Sequence, residues 1–145
     1  MKHLGKTSII STEPNEIILD AVDNPHLLSH YLVRFTCPEF TSLCLVTEQP
    51  DFAHIIIDYV PDRKIVESKS IKLYLMSYRN YKTFHEGCAT RIGMDIIHAI
   101  DPKWLRVTAM FYPRGGIPLD VFAVWGKVPN DVLVPELPTL PYRGR

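Results

Sequence analysis

Cys44 and Asp51 stand seven residues apart in the stretch PEFTSLCLVTEQPDFA (38–53) and pair a soft nucleophile with a proton carrier. A cysteine attacks as its thiolate, so an active one needs polar neighbours or a helix N-terminus to lower its pKa. Thr41, Ser42 and Thr47 offer such hydrogen bonds. An aspartate acting as general acid needs the reverse, a pKa raised by apolar burial. Asp51 sits between Pro50 and the apolar Phe52 and Ala53, which fits. On residue type alone, a cysteine between Leu43 and Leu45 equally fits a small buried hydrophobe, so the elements around it must decide.

Those elements belong to a chain of 145 residues, 46% hydrophobic, the size of one globular domain with a real core. A single domain over 1–145 is expected. Sixteen basic residues balance sixteen acidic ones, which argues against a nucleic-acid surface or a basic membrane anchor. The opening MKHLGKTSII lacks an apolar core of signal-peptide length, and no apolar run approaches the roughly 20 residues of a membrane span. A cytoplasmic protein is expected. The three cysteines, Cys37, Cys44 and Cys88, show no C-x-x-C spacing, and histidine and cysteine are too scattered for a metal site. Reduced thiols and no metal follow, and Cys37, His54 and His98 read as structural.

Along the chain, 1–28 is polar and broken by Pro14, Asn15, Asn24 and Pro25, an extended arm with at most a short strand near 17–19. The stretches 30–36 and 54–60 are rich in β-branched and aromatic residues and bounded by Pro38 and Pro61, so they predict two strands joined by a long connection carrying Cys44 and Asp51. Ile71, Leu75 and Tyr78, with Tyr74 beside them, predict a helix within 67–79. Cys88, Ile92, Ile96 and Ile100 form the stripe of a second helix, ended by Asp101-Pro102. Alternation over 105–112 and 119–125, around Pro113-Arg114-Gly115-Gly116, predicts a β-hairpin with Leu105, Val107, Ala109 and Phe111 on one face. The proline-rich tail 128–145 should run extended. The order is ββααββ, an α+β fold whose two helices cover one face of a four-stranded antiparallel sheet. The bare face and open edges predict a homo-oligomer.

Four motifs then act together: C-x-x-T-x-Q-P-D-F (44–52), E-S-K-S-I-K-L-Y (67–74), F-H-E (84–86) and P-R-G-G (113–116). With them the chain resembles the QueF family, NADPH-dependent 7-cyano-7-deazaguanine reductases, in its short single-module form, from Pro38 to the Tyr142-Arg143-Gly144 end. The resemblance implies the tunnelling fold (T-fold), with ββααββ units assembled around a pore, two stacked pentamers, and substrate bound where subunits meet. It implies reduction of the nitrile 7-cyano-7-deazaguanine to 7-aminomethyl-7-deazaguanine with two hydrides from NADPH, on the route to queuosine in transfer RNA. In that scheme Cys44 adds to the nitrile carbon as a thioimide and Asp51 supplies protons. His85 and Glu86 read the base edge, Phe84 offers a ring to stack on, and Val66, Glu67 and Ser68 complete the substrate site at a helix N-terminus with free N–H groups. Covalent capture suits a nitrile, a weak hydride acceptor, and a carboxylate suits two adjacent N–H donors. No G-x-G-x-x-G follows a strand, so NADPH enters through the resemblance alone. Lys69, Lys72, Arg114 and Gly115, beside Gly116, are then the expected phosphate contacts.

Duller explanations stand beside these: a solvated helix face for Lys69 and Lys72, a plain hairpin turn at Arg114-Gly115, a first-turn acid at Glu67. Rival functions are a thiol peroxidase, prompted by Thr41 before Cys44, and a purine-binding oligomer that has lost catalysis. A zinc cyclohydrolase-like reading lacks ligands. The lapsed binder is motivated by Leu45 and Glu48, where the family usually has Pro and Gly. If that glycine needs positive φ, Glu48 strains the loop, and its carboxylate should displace Cys44 thiolate formation to higher pH. Cys88, early in the second helix, is expected near Cys44, with a reversible disulfide under oxidation.

Overall fold

Strict alternation builds the C-terminal hairpin: Leu105, Val107, Ala109 and Phe111 all turn into the core and are fully buried. The computed structural model describes residues 11–138; the first part of the expected arm and the Tyr142-Arg143-Gly144 end lie outside that span. In chain order the strands are β1 (Ala21–Asp23), β2 (Val33–Cys44), β3 (Pro50–Val60), β4 (Lys64–Val66), β5 (Lys82–Thr83), β6 (Trp104–Arg114) and β7 (Ile117–Gly126). The helices are α1 (Ser68–Met76), prolonged by a 3-10 turn (Ser77–Asn80), and α2 (His85–Ile100).

The large strands β2, β3, β6 and β7 pair antiparallel in that order, so the expected ββααββ core is present. Three short strands were not anticipated. The two-residue β5 adds a parallel edge to β2, and β1 pairs with β4 in a small sheet of its own, so the sheets are mixed. The arm therefore holds a 3-10 turn at Glu16–Ile18 and a strand at Ala21–Asp23, where a strand near 17–19 was expected. Asn15 fixes that turn by accepting from the Ile17 N–H.

The long connection also needs correction. Most of 38–53 is strand, because Pro38 ends nothing: the β2–β3 register slips between Cys37 and Phe40, and Pro38 lies in the bulge. Proline is tolerated there because an edge strand with a bulge has no ladder bond to lose. The hairpin turn proper is 45–49, with Cys44 and Asp51 at its two mouths.

One sheet face carries Ala53, Ile55, Ile57 and Tyr59 of β3 beside the inward row of β6. Ile71, Tyr74 and Leu75 of α1 and Cys88, Ala89, Ile92 and Ile96 of α2 pack against it. Ile92→Ala would cost about 2–5 kcal/mol, from lost burial and the cavity left behind. Tyr74 donates to Asp95 at 2.6 Å and so ties the two helices together. A β-carbon on Gly93 would fall 2.0 Å from the Trp125 ring, so only glycine lets α2 lie this close to β7.

The opposite face is partly polar. Arg34, Asp58 and Arg106 are cross-strand neighbours, and both guanidiniums grip the fully buried Asp58. They also donate to the carbonyls of Pro135 and Glu136, which straps the tail to the sheet. Farther along that face Phe122 and Val124 are exposed. No helix among the described residues is long and apolar enough to cross a membrane.

Candidate active site

The turn between β2 and β3 folds back over its own cysteine. Cys44 N–H donates to Gln49 O at 2.9 Å, Glu48 N–H to Cys44 O at 3.0 Å, and Thr47 N–H to Cys44 Sγ at 3.4 Å. Hydrogen bonds to sulfur favour the thiolate. The Cys44 thiol is accordingly held below its ordinary range, first by the Thr47 hydroxyl, then by the N–H groups of Thr47 and Val46, and lastly by the Arg114 charge. Of the three hydroxyls expected to assist, Thr47 does so. Ser42 instead meets Cys88, whose Sγ lies 3.8 Å from Ser42 Oγ.

Ser42 pairs with Asp51 across the strands, so Cys44, two residues on, shares Asp51's face as its diagonal neighbour. Such neighbours lie about 7–8 Å apart at Cα. Asp51 is buried, as expected, but in a charged setting: Arg114 Nε donates to Oδ1 at 2.7 Å and Nη2 to Oδ2 at 2.8 Å. The apolar surroundings expected from Phe52 do not form, because Phe52 alternates outward and is half exposed. Arg114 is the last residue of β6, re-aimed by a register shift after Phe111, and its charge also acts on the Cys44 thiol. An arginine read from sequence as a phosphate contact thus grips the proton carrier and favours the nucleophile's thiolate. The P-R-G-G spacing placed it in a hairpin turn but gave no hint of this partner.

The start of α2 closes the site. His85 is stacked on Phe111, centroids 3.9 Å apart and planes 9° from parallel. Its Nε2 lies 3.2 Å from Asp51 Oδ2 but off the hydrogen-bond direction, so this buried nitrogen has no hydrogen-bond partner. Glu86 and Phe84 stand exposed at the same helix end. Cys88, one turn in, is fully buried and its thiol is pushed up to about 12 by that burial. All three cysteines are free thiols.

The remaining candidates lie elsewhere. Val66 N–H donates to Tyr59 Oη, and Tyr59 is eight positions along β3 from Asp51, about 26 Å at 3.3 Å per residue. Glu67 does not leave N–H groups free for a ligand: its own carboxylate caps α1, accepting from Lys69 N–H at 2.9 Å and Ser70 N–H at 2.8 Å. Ser68 and Lys72 line a cavity of about 710 Å³ between β2 and α1, with Phe35, Cys37, Phe40 and Leu75. Lys69 shares that first turn of α1. Gly115 and Gly116 adopt φ of 57° and 81°, and nothing lies within 4 Å of where a β-carbon would stand.

At the turn, Glu48 has φ 59°, the positive value expected from a glycine position. Its carboxylate pairs with Lys82 of β5. The Cys44 thiol is held below its ordinary range, the opposite direction to the displacement expected from Glu48. Among the described residues Glu16, Asp95 and His98 come close enough to share an ion. They are already engaged, His98 with Glu16 and Asp95 with Tyr74 and Arg91.

A family model described as QueF-like protein matches residues 50–130. The chain belongs to the QueF-like family. Cys44 precedes that match but lies within the span shared with full-length relatives. The chain is 56% identical to the NADPH-dependent 7-cyano-7-deazaguanine reductase of Zymomonas mobilis, over 99% of this chain and 97% of that one. Identity is 53% to the protein of the same name from Parvibaculum lavamentivorans, over 100% and 94%. Among solved structures, an archaeosine synthase QueF-Like in its apo form superposes with a TM-score of 0.62 at 26% identity, over 68% of this chain and 96% of that one. This QueF-like chain thus shares both sequence and fold with its relatives, and the resemblance read from four motifs holds.

Proposed function

We propose that the chain is an NADPH-dependent reductase of 7-cyano-7-deazaguanine, giving 7-aminomethyl-7-deazaguanine on the route to queuosine. The observation that carries this reading is the placement of Cys44 and Asp51 on one sheet face, bridged by Arg114, with the thiol held toward its thiolate. The thiolate adds to the nitrile carbon and forms a thioimide, splitting one hard reduction into easier steps. Asp51 moves protons between Cys44 and the nitrile nitrogen. His85, fixed on Phe111 with an unpartnered Nε2, meets a polar substrate atom, and Glu86 accepts from the base edge. NADPH, when bound, supplies hydride to the carbon held by Cys44.

Its expected contacts fit an open turn at Gly115-Gly116, which a phosphate can approach closely. Val66, with Glu67, Ser68 and Lys69 after it, starts α1 beside Tyr59 at the far end of β3, so one chain does not gather all of these residues, Lys72 included, at the Cys44 end. A second copy that brings its α1 end to the Cys44 end completes the site. Two open edges support this assembly: among the described residues β7 pairs with β6 alone, and β2 meets β5 only through Leu43 and Cys44. Strand-to-strand closure of the single 1–145 domain into a tunnelling-fold ring, two pentamers stacked, is the assembly we infer, in the cytoplasm. The test is oxidation of NADPH, followed by absorbance, on adding nitrile; tight binding without oxidation would favour the lapsed binder.

A further inference from the structure

Arg114 is half exposed and carries two side-chain hydrogen bonds to a carboxylate that is almost fully buried. Both Asp51 oxygens accept from it, the bidentate fork that a guanidinium makes with a carboxylate. In the empty site Asp51 is therefore arranged as a base. The charge of the same guanidinium also acts on the Cys44 thiol, favouring its thiolate. We propose that Arg114 is a positioning residue that sets the order of proton transfer: it holds Asp51 to take the Cys44 proton first, and to deliver it to the nitrile nitrogen second.

This rests on the reading of Cys44 as nucleophile and Asp51 as proton carrier. The step balances within the site. The S–H bond breaks and its proton passes to Asp51; the sulfur lone pair forms the C–S bond as one C–N π bond breaks. The nitrogen then takes the proton back from Asp51, and the carboxylate returns to Arg114. Arg114 comes from β6, His85 and Cys88 from α2, and Cys44 from β2. Glu48 and Lys82 neutralise one another at the turn. Arg114 thus holds Asp51 directly and acts on Cys44 through its charge, with the fork to orient a carboxylate.

The experiment follows, in the whole protein, the rate at which the nitrile forms its Cys44 adduct without NADPH, and the pH profile of Cys44 alkylation by iodoacetamide. Arg114→Gln should slow the adduct roughly ten-fold or more, since general acid–base positioning is worth about 10²–10⁴ in rate. It should also move the alkylation midpoint up, the direction a lost cation dictates. Arg114→Lys keeps the charge without the fork, so it should restore the midpoint but not the adduct rate; it also serves if the Gln variant does not fold. Parent-like adduct rates in both variants overturn the inference, as does loss of NADPH binding with adduct formation intact. A parent protein that forms no Cys44 adduct instead overturns the nitrile-reductase reading itself, and the inference with it.

Discussion

The imidazole of His85 lies flat against the ring of Phe111, 3.9 Å between centroids. A stacked ring cannot swing, so Nε2 stays directed at the Asp51 side of the site with no hydrogen-bond partner. A buried polar atom left in this state costs about 1–3 kcal/mol. The free protein thus carries at one atom a deficit that a ligand can relieve.

His85→Phe should accordingly hold or raise the stability of the ligand-free protein, by up to about 1–3 kcal/mol, while weakening nitrile binding at least ten-fold. Urea unfolding and calorimetric titration give the two halves. A variant that is less stable and binds normally would show that Nε2 already has a role in the empty fold.

Cys44 should be alkylated at lower pH than an unhindered thiol, whose pKa is about 8.5. Thr47→Val removes the hydroxyl that contributes most to this lowering, so its midpoint should move up and its rate at neutral pH should fall. Mass spectrometry after nitrile exposure should find one adduct per chain, on Cys44 and absent from Cys44→Ala. An adduct on Cys88 would contradict the burial that pushes that thiol up to about 12.

Glu48→Gly should stabilise the protein, because a non-glycine residue at φ 59° is strained by about 1–2 kcal/mol and the exposed Lys82 pair it gives up is worth about 0–1 kcal/mol. A rise in melting temperature of about 2–4 °C corresponds to 1 kcal/mol in a chain of this size. The alkylation profile of Cys44 should stay in place. A shift would mean that Lys82 does not neutralise Glu48.

Glu86→Gln sets a donor where the base edge also donates, so substrate affinity should fall by about 1–3 kcal/mol while NADPH affinity holds. Equal losses for both ligands would remove Glu86 from the base-reading role.

Phe122→Asp should break the assembly, since Phe122 is an exposed aromatic beside Val124 on the sheet face that carries no helix. Light scattering of the variant should report smaller particles than the parent. A parent that is already a folded monomer at dilute concentration would end the ring proposal.

The helices were legible because Ile71, Leu75, Ile92 and Ile96 repeat at a period only a helix satisfies, and the C-terminal hairpin because Leu105 to Phe111 alternate. Pro38 misled. Read as a strand end, it split β2 and made a hairpin look like a long loop, since sequence does not distinguish a bulge from a boundary. The two-residue β5 has no pattern long enough to see. Within the site, Cys44 and Asp51 share a sheet face and His85 lies beside Asp51, while Glu86 stands exposed next to it on α2. The link between Asp51 and Arg114 spans 63 positions and depends on a register shift that no local spacing encodes. The capping of α1 by Glu67 was hidden for a similar reason: whether a helix-start carboxylate turns outward or back to its own N–H groups is settled by rotamer.

The strap formed by Arg34 and Arg106 has a consequence for how the tail can drift over time. Arg34 donates to the main-chain carbonyls of Pro135 and Glu136 and Arg106 to that of Pro135, a group that every residue possesses. Side-chain identity at these two positions is therefore nearly free to vary, whereas Asp58, which aims both guanidiniums from a fully buried position, is not. Asp58→Asn would leave two cations confined on one carboxamide and release the tail as a unit. The tail is thus written into the middle of the sheet more than into its own residues.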